Sequence, residues 1–231
     1  MKVLFQLSNE PMVSAAREVA RALKAAGHEA LFAGGCVRDA LLGRSVKDID
    51  IATSATPDQV EALFKGKTVA VGKAFGVVLV MHGGFQFDVA TFRTDGTYAD
   101  GRHPDRVTFT TAEGDAQRRD FTINGLFCVP ESGEVIDFVG GLAHLQARVI
   151  SAIGEPEARF REDHLRMLRA VRFASALGFE IEPATRAALA EHAAWIKTVS
   201  AERVAADFER LICESPRPSV GLNLLRETGL L

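Results

Sequence analysis

The sequence predicts an α+β protein: a small head built on a mixed/antiparallel sheet, followed by an all-helical neck. Three observations carry this. The hydrophobic pattern changes period repeatedly up to about residue 140, as alternating strands and helices require. From about residue 141 it turns helical and stays so. Over 231 residues, 47% hydrophobic and 25% charged residues are ordinary globular values, which exclude collagen-like, disulfide-scaffold and wholly disordered chains. The shift in pattern divides residues 1–145 from residues 146–231.

Along the head, residues 11–26 place Val13, Ala16, Val19, Ala20 and Leu23 at helical spacing and stop at Gly27. Residues 30–33 are a short apolar strand ending in Gly34-Gly35, and residues 37–42 a helix stopping at Gly43. Ile49-Asp50-Ile51 reads as a strand. Thr56-Pro57-Asp58 then opens a helix, with an N-cap and a Pro at the first position. Val69-Ala70-Val71, Val77 to Met81 and Phe85 to Phe92 read as strands separated by Gly turns. Residues 94–106 are polar and rich in turn formers, which predicts a long mobile loop. Asn124 to Val129 returns to strand character, with Glu134 to Phe138 as its partner. In the neck, Pro156, Pro183 and Pro216 mark helix starts, giving helices near 155–176, 184–194, 201–213 and 217–228.

The net charge of −3 gives no global nucleic-acid signature, although charge can be local. Cys36, Cys128 and Cys213 are far apart, without a C-x-x-C pair, so free thiols in a reducing cytoplasm are expected rather than zinc or disulfides. The start carries no secretory pattern, and no run reaches the roughly 18 apolar residues of a membrane span. A soluble cytoplasmic protein is the expectation.

The sharpest chemical feature is Gly34-Gly35-Cys36-Val37-Arg38-Asp39 followed by Asp48-Ile49-Asp50. A Gly-Gly turn lets backbone N–H groups approach phosphates, and the fork of Arg38 could reach the same groups. Asp48 and Asp50, two apart in a strand, point to one face, where like charges are costly without a cation between them; Mg²⁺ fits. Asp88 interrupts an apolar strand and is either a third metal-binding acid or an Asp on a solvated face. In Arg118-Arg119-Asp120-Phe121-Thr122-Ile123-Asn124 an Arg could bind a triphosphate, with Asp120 or Asn124 fixing it. Arg166, Arg169 and Arg172 form a stripe on an apolar helix, one step after Asp163. Either these arginines are salt-bridged structural groups, or Asp163 and Arg166 offer an acceptor and a donor fork to a nucleobase edge.

Together GGCVRD, DID, DVATFR, the DGRHP loop, RRDFTIN and REDHLRMLRAVRF, in that order, resemble class II tRNA nucleotidyltransferases (CCA-adding enzymes) and the related bacterial poly(A) polymerases. The resemblance runs from about Leu31 to about Glu227. It implies a polymerase beta-like nucleotidyltransferase head and a neck that recognises the base. It implies nucleotide binding by Gly34, Gly35, Arg38 and Arg119, and Mg²⁺ binding and catalysis by Asp48, Asp50 and Asp88. Base templating falls to Asp163 and Arg166, with Arg169 and Arg172 also nucleotide-binding. The loop at 94–110 corresponds to one that assists the switch from C to A addition. Many relatives carry Glu at position 88, Leu and a basic residue at Ala116-Gln117, and Ala at Gly125.

The expected partners are CTP, ATP and the 3′ end of tRNA, with no membrane. The expected reaction is CCA addition by two-metal phosphoryl transfer, with poly(A) addition as the alternative and a non-catalytic nucleotide- or RNA-binding relative as a second. Relatives continue into body and tail helices, so the 231 residues are expected to be a catalytic head and neck.

Overall fold

Helix α1 (Pro11–Ala25) starts with Pro at its first position, and its face of Val13, Ala16, Val19, Ala20 and Leu23 is buried. The computed structural model that shows this describes residues 10–69, 72–96 and 106–231. The Ala70-Val71 part of an expected strand and most of the expected 94–106 loop, DGRHP included, lie outside those residues, as do residues 1–9. The described chain divides into two units. The first takes the chain through Asp95, Val107–Arg119 and Asn124–Val139; the second takes Asp120–Ile123 and Gly140–Leu231.

In the first unit, α1 leads into strand β1 (Ala30–Ala33) and helix α2 (Gly35–Leu41). Strand β2 (Asp50–Thr53) and helix α3 (Pro57–Leu63) follow. Thr56 caps α3 in a reciprocal box: its hydroxyl accepts from the Gln59 N–H and its own N–H donates to Gln59 Oε1 at 2.8 Å. The chain continues through β3 (Thr68–Val69), β4 (Val77–His82), β5 (Phe85–Thr91), β6 (Arg93–Asp95) and β7 (Val107–Phe109). Helix α4 (Ala112–Gln117), β8 (Leu126–Cys128) and β9 (Val135–Asp137) complete the unit. Seven of these strands form one sheet in the order β3-β4-β5-β2-β1-β8-β9. Its pairings are antiparallel except that of β2 with β5. Thr94 and Asp95, expected in the loop, instead pair with β7.

Side-chain alternation gives this sheet two faces. On one, α1 packs against β1, β2, β4 and β5. On the other, Leu31, Ala33, Ala52 and Phe127 join Phe92 and the α4 residues Ala112 and Ala116 in an apolar cluster. Asp50 shares a face with Ala52, and the parallel register of Ile51 with Val89 sets Asp50 beside Asp88 on that same face. Strand β2 begins at Asp50, one residue later than the sequence indicated, so Asp48 stands on the approach to the sheet.

The second unit contains α5 (Gly141–Ala147), β10 (Val149–Ile150), α6 (Pro156–Glu162) and α7 (Leu165–Leu177). It ends with β11 (Glu180–Ile181), α8 (Pro183–Glu191), α9 (Ala201–Glu214) and α10 (Pro218–Glu227). Helix α7 is its centre, almost wholly buried against α9, α10, β10 and β11. Two expectations are corrected here. The neck is not all helical, because the β-branched residues Val149, Ile150 and Ile181 lie in a two-stranded parallel ribbon, β10 with β11. The helix expected over 155–176 is broken. Asp163 is extended (φ −144°, ψ 107°) and ends α6, and its carboxylate accepts from the Leu165 N–H at 3.0 Å, so the chain turns locally there before α7 begins.

Candidate active site

The turn from β1 into α2 runs through Gly34, whose φ of 74° and ψ of −129° suit glycine. Its N–H donates to the Leu126 carbonyl at 3.0 Å, fixing the turn against β8. A Cβ placed on Gly34 would lie 2.9 Å from Arg119 Nη1 and 3.9 Å from Asp50 Oδ2. The bare backbone of this turn therefore lies against a guanidinium and a carboxylate. At Gly35 the nearest group is Arg38 Nη2, at 3.6 Å from the corresponding position.

The three acids converge. The Asp50 carboxyl is pushed up to about 6 by loss of hydration, then by the negative charges of Asp48 and Asp88, while Arg119 opposes the shift. The Asp88 carboxyl is likewise raised, by burial first and then by Asp48. Both side chains remain open to solvent on the sheet surface. Asp88 thus stands on the accessible face of its strand and near the other two acids. Among the described residues no three or more His, Cys, Asp or Glu side chains close into a ready-made metal shell. The donors are carboxylate oxygens only. That chemistry fits a hard divalent cation held by one or two carboxylates and completed by phosphate oxygen or water.

Two arginines back this array. Arg38 is 8% exposed; it donates from Nε and Nη2 to both oxygens of Asp39, at 2.9 Å each, and from Nη1 to Asn124 Oδ1 at 2.6 Å. Arg119 donates to Asp115 and, from Nη1, to the Asn124 carbonyl at 3.3 Å, and its guanidinium lies 5.0 Å from the centre of the Phe127 ring. Asn124, considered from sequence as the fixing group, holds both arginines. Asp120 does not: it pairs with Arg169 at 2.5 Å.

Asp115 was not singled out from sequence. Burial works to raise its carboxyl, but Arg119 and Arg118 outweigh that and hold it below the usual carboxylate range. The available signal was helical spacing: Asp115 stands three and four residues before the two arginines, after the N-cap Thr111.

In the second unit each singled-out residue has its own internal partner. Asp163 pairs with Arg203 at 2.8 Å, Arg166 with Glu162 at 2.6 Å, and Arg172 with Asp207 at 2.6 Å. Arg169 and Arg172 both lie against the Phe173 ring. Asp163 and Arg166 meet through the backbone, where the Arg166 N–H donates to the Asp163 carbonyl at 2.9 Å. Their side chains diverge to Arg203 and Glu162, which a nucleobase would have to displace.

Two family models match parts of the chain. Residues 30–151 match the model of the poly A polymerase head domain, and residues 178–231 that of a probable RNA and SrmB-binding site of polymerase A. The CCA-adding enzyme of Geobacillus thermodenitrificans is 47% identical over 222 residues, which is 96% of this chain and 54% of the relative. That of Levilactobacillus brevis is 47% identical over 216 residues, 93% of this chain and 54% of the relative. The chain thus spans about half the length of these curated relatives. Among solved structures, the Bacillus stearothermophilus CCA-adding enzyme in complex with CTP is similar, with a TM-score of 0.87 and 43% identity. The match covers 96% of this chain and 53% of that one. The Thermotoga maritima CCA-adding enzyme complexed with tRNA gives a TM-score of 0.76 at 25% identity, over 99% of this chain and 55% of that one. No helix among the described residues is long and apolar enough to cross a membrane.

Proposed function

The chain belongs to the poly A polymerase head-domain family, and from that premise we propose that it is a template-independent nucleotidyltransferase that completes the CCA end of tRNA. In this reading residues 1–145 are the catalytic head and residues 146–231 the neck, working in the cytoplasm. CMP and AMP from CTP and ATP are joined to the RNA 3′-hydroxyl, and pyrophosphate leaves. The observation that carries the proposal is the convergence of Asp48, Asp50 and Asp88 beside Gly34, with Arg119 as the opposing charge.

Each group has a physical task. Gly34 and Gly35 keep the turn free of side chains so that phosphates can approach the backbone. Arg119 and Arg38 offer guanidinium donors to the triphosphate; for Arg38 this means exchanging part of its contact with Asp39. Asp48, Asp50 and Asp88 would hold Mg²⁺, which supplies charge neutralisation at the attacking and leaving oxygens. Catalysis by such a site is positioning plus electrostatics, with no covalent step on a side chain. Asp163 and Arg166, on exchanging their contacts with Arg203 and Glu162, would offer an acceptor and a donor to the base edge, with Arg169 and Arg172 as further nucleotide-binding groups.

The test uses tRNA lacking its CCA end with CTP, ATP or both. Asp48→Ala should abolish incorporation while thermal unfolding stays cooperative. Near-normal incorporation by that variant would remove the metal assignment. Long A tracts from ATP alone would replace CCA addition by poly(A) addition, and CTP binding without pyrophosphate release by the unaltered chain would favour a non-catalytic binder.

A further inference from the structure

We propose that Asp115 is a positioning residue for the triphosphate, clamping Arg119 in the orientation that faces Gly34; this rests on Arg119 being a triphosphate ligand.

The argument begins with where the carboxylate sits. Asp115 is 1% exposed, yet it lies on the short helix α4 directly before the two arginines. Its two oxygens divide the work. Oδ2 accepts from Nη2 and Nε of Arg119 at 2.9 and 3.2 Å. Oδ1 accepts from Nε of Arg118 at 2.8 Å and from the Arg93 N–H, the first residue of β6, at 3.3 Å. The carboxylate is thus tied to the backbone of a neighbouring strand as well as to its own helix turn.

Three contacts then fix Arg119. One edge of the guanidinium is held by Asp115. The remaining nitrogen, Nη1, donates to the Asn124 carbonyl and is the atom that a Cβ on Gly34 would meet at 2.9 Å. One face lies over Phe127. An arginine loses rotamer freedom when ordered, and this side chain is ordered by its own fold. A ligand arriving at the Gly34 turn meets a guanidinium already oriented, which is how preorganisation raises affinity.

The charges agree with this role. An acid next to an anion site opposes binding unless it is outweighed. Asp115, Arg118 and Arg119, with the Arg93–Asp95 pair beside Arg118, carry two negative and three positive charges, so the cluster keeps a net positive charge while the Asp115 carboxylate is buried. A purely structural ion pair would need Arg118 no less than Arg119. Only Arg119 reaches the turn.

Isothermal titration of the chain with CTP and with CMP, in the presence of Mg²⁺, separates the possibilities. Asp115→Asn keeps the shape and removes the charge. It should weaken CTP binding by about tenfold or more, with CMP affinity within about twofold, since CMP lacks the phosphates the clamp serves. Equal loss for CTP and CMP, or no loss for either, in a folded variant would overturn the proposal. Arg119→Ala is run beside it. If that variant binds CTP normally, the reading of Arg119 as a triphosphate ligand has failed. If Arg119→Ala weakens CTP and Asp115→Asn does not, the clamp alone has failed. Should Asp115→Asn not fold, Arg119→Lys keeps the charge and loses the two-nitrogen grip on Asp115. A CTP-selective loss there supports the clamp, and wild-type CTP affinity overturns it.

Discussion

Replacing Asp50 by Asn should make the metal-free protein more stable at neutral pH, at the expense of its activity. The folded protein raises the Asp50 carboxyl from 3.8 to about 6, so it binds a proton there more tightly than the unfolded chain does. Between roughly pH 4 and pH 6 the folded state therefore holds more protons, and stability falls as pH rises through that window. Above it the cost of the ionised group is fully present. The rise from 3.8 to about 6 corresponds to an upper bound of about 3 kcal/mol. Because the carboxylate is open to solvent, screening reduces this to roughly 1 kcal/mol. For a chain of 231 residues that is an increase of about 2–4 °C in Tm for Asp50→Asn at pH 7.5 in EDTA. The difference should shrink towards pH 4, where the wild-type carboxyl is protonated in the folded state. Added Mg²⁺ should raise the Tm of the wild type more than that of the variant. A variant less stable than wild type at pH 7.5, or a gain of the same size at both pH values, would refute the view that the three acids repel one another across this face.

Two further outcomes follow from the same geometry. Gly34→Ala forces a Cβ into an unfavourable backbone region and against Arg119 Nη1. It should lower stability by about 1–3 kcal/mol and weaken CTP binding, seen by thermal unfolding and calorimetry; an unchanged Tm would show that the turn relaxes freely. Arg172→Ala strands the buried partner Asp207 and should cost about 3–5 kcal/mol in urea unfolding, whereas a loss under 1 kcal/mol would show that the pair contributes little to the second unit.

What could be read without coordinates was local. Helix α1, strand β1 and the cap of α3 follow from spacings of three, four or two residues and from Thr56-Pro57, so the same residues recur in the structure. The break at Asp163 is hidden because apolar residues keep helical spacing on both sides of it, while the turn at the break is marked by a single side-chain hydrogen bond. The β10–β11 ribbon was missed because each strand is two residues long and exists only through a partner about thirty residues away. In the site, residue types were legible and pairings were not. Nothing in a string of letters says that Asp120 turns to Arg169 or that Asp115 is enclosed by arginines. Those facts depend on which groups the fold brings within hydrogen-bond distance.

The single parallel pairing of the main sheet also bears on how the chain folds. Strands β2 and β5 run the same way, so α3, β3 and the β4–β5 hairpin must be threaded between them before Asp88 can stand beside Asp50. The repulsion between Asp88 and the Asp48–Asp50 pair is therefore absent from every local fragment and arises only when a long-range pairing closes. If that closure follows the rate-limiting barrier, neutralising an acid will slow unfolding and leave the folding rate nearly unchanged. A cation that bridges them would then act chiefly as a kinetic lock on the finished head.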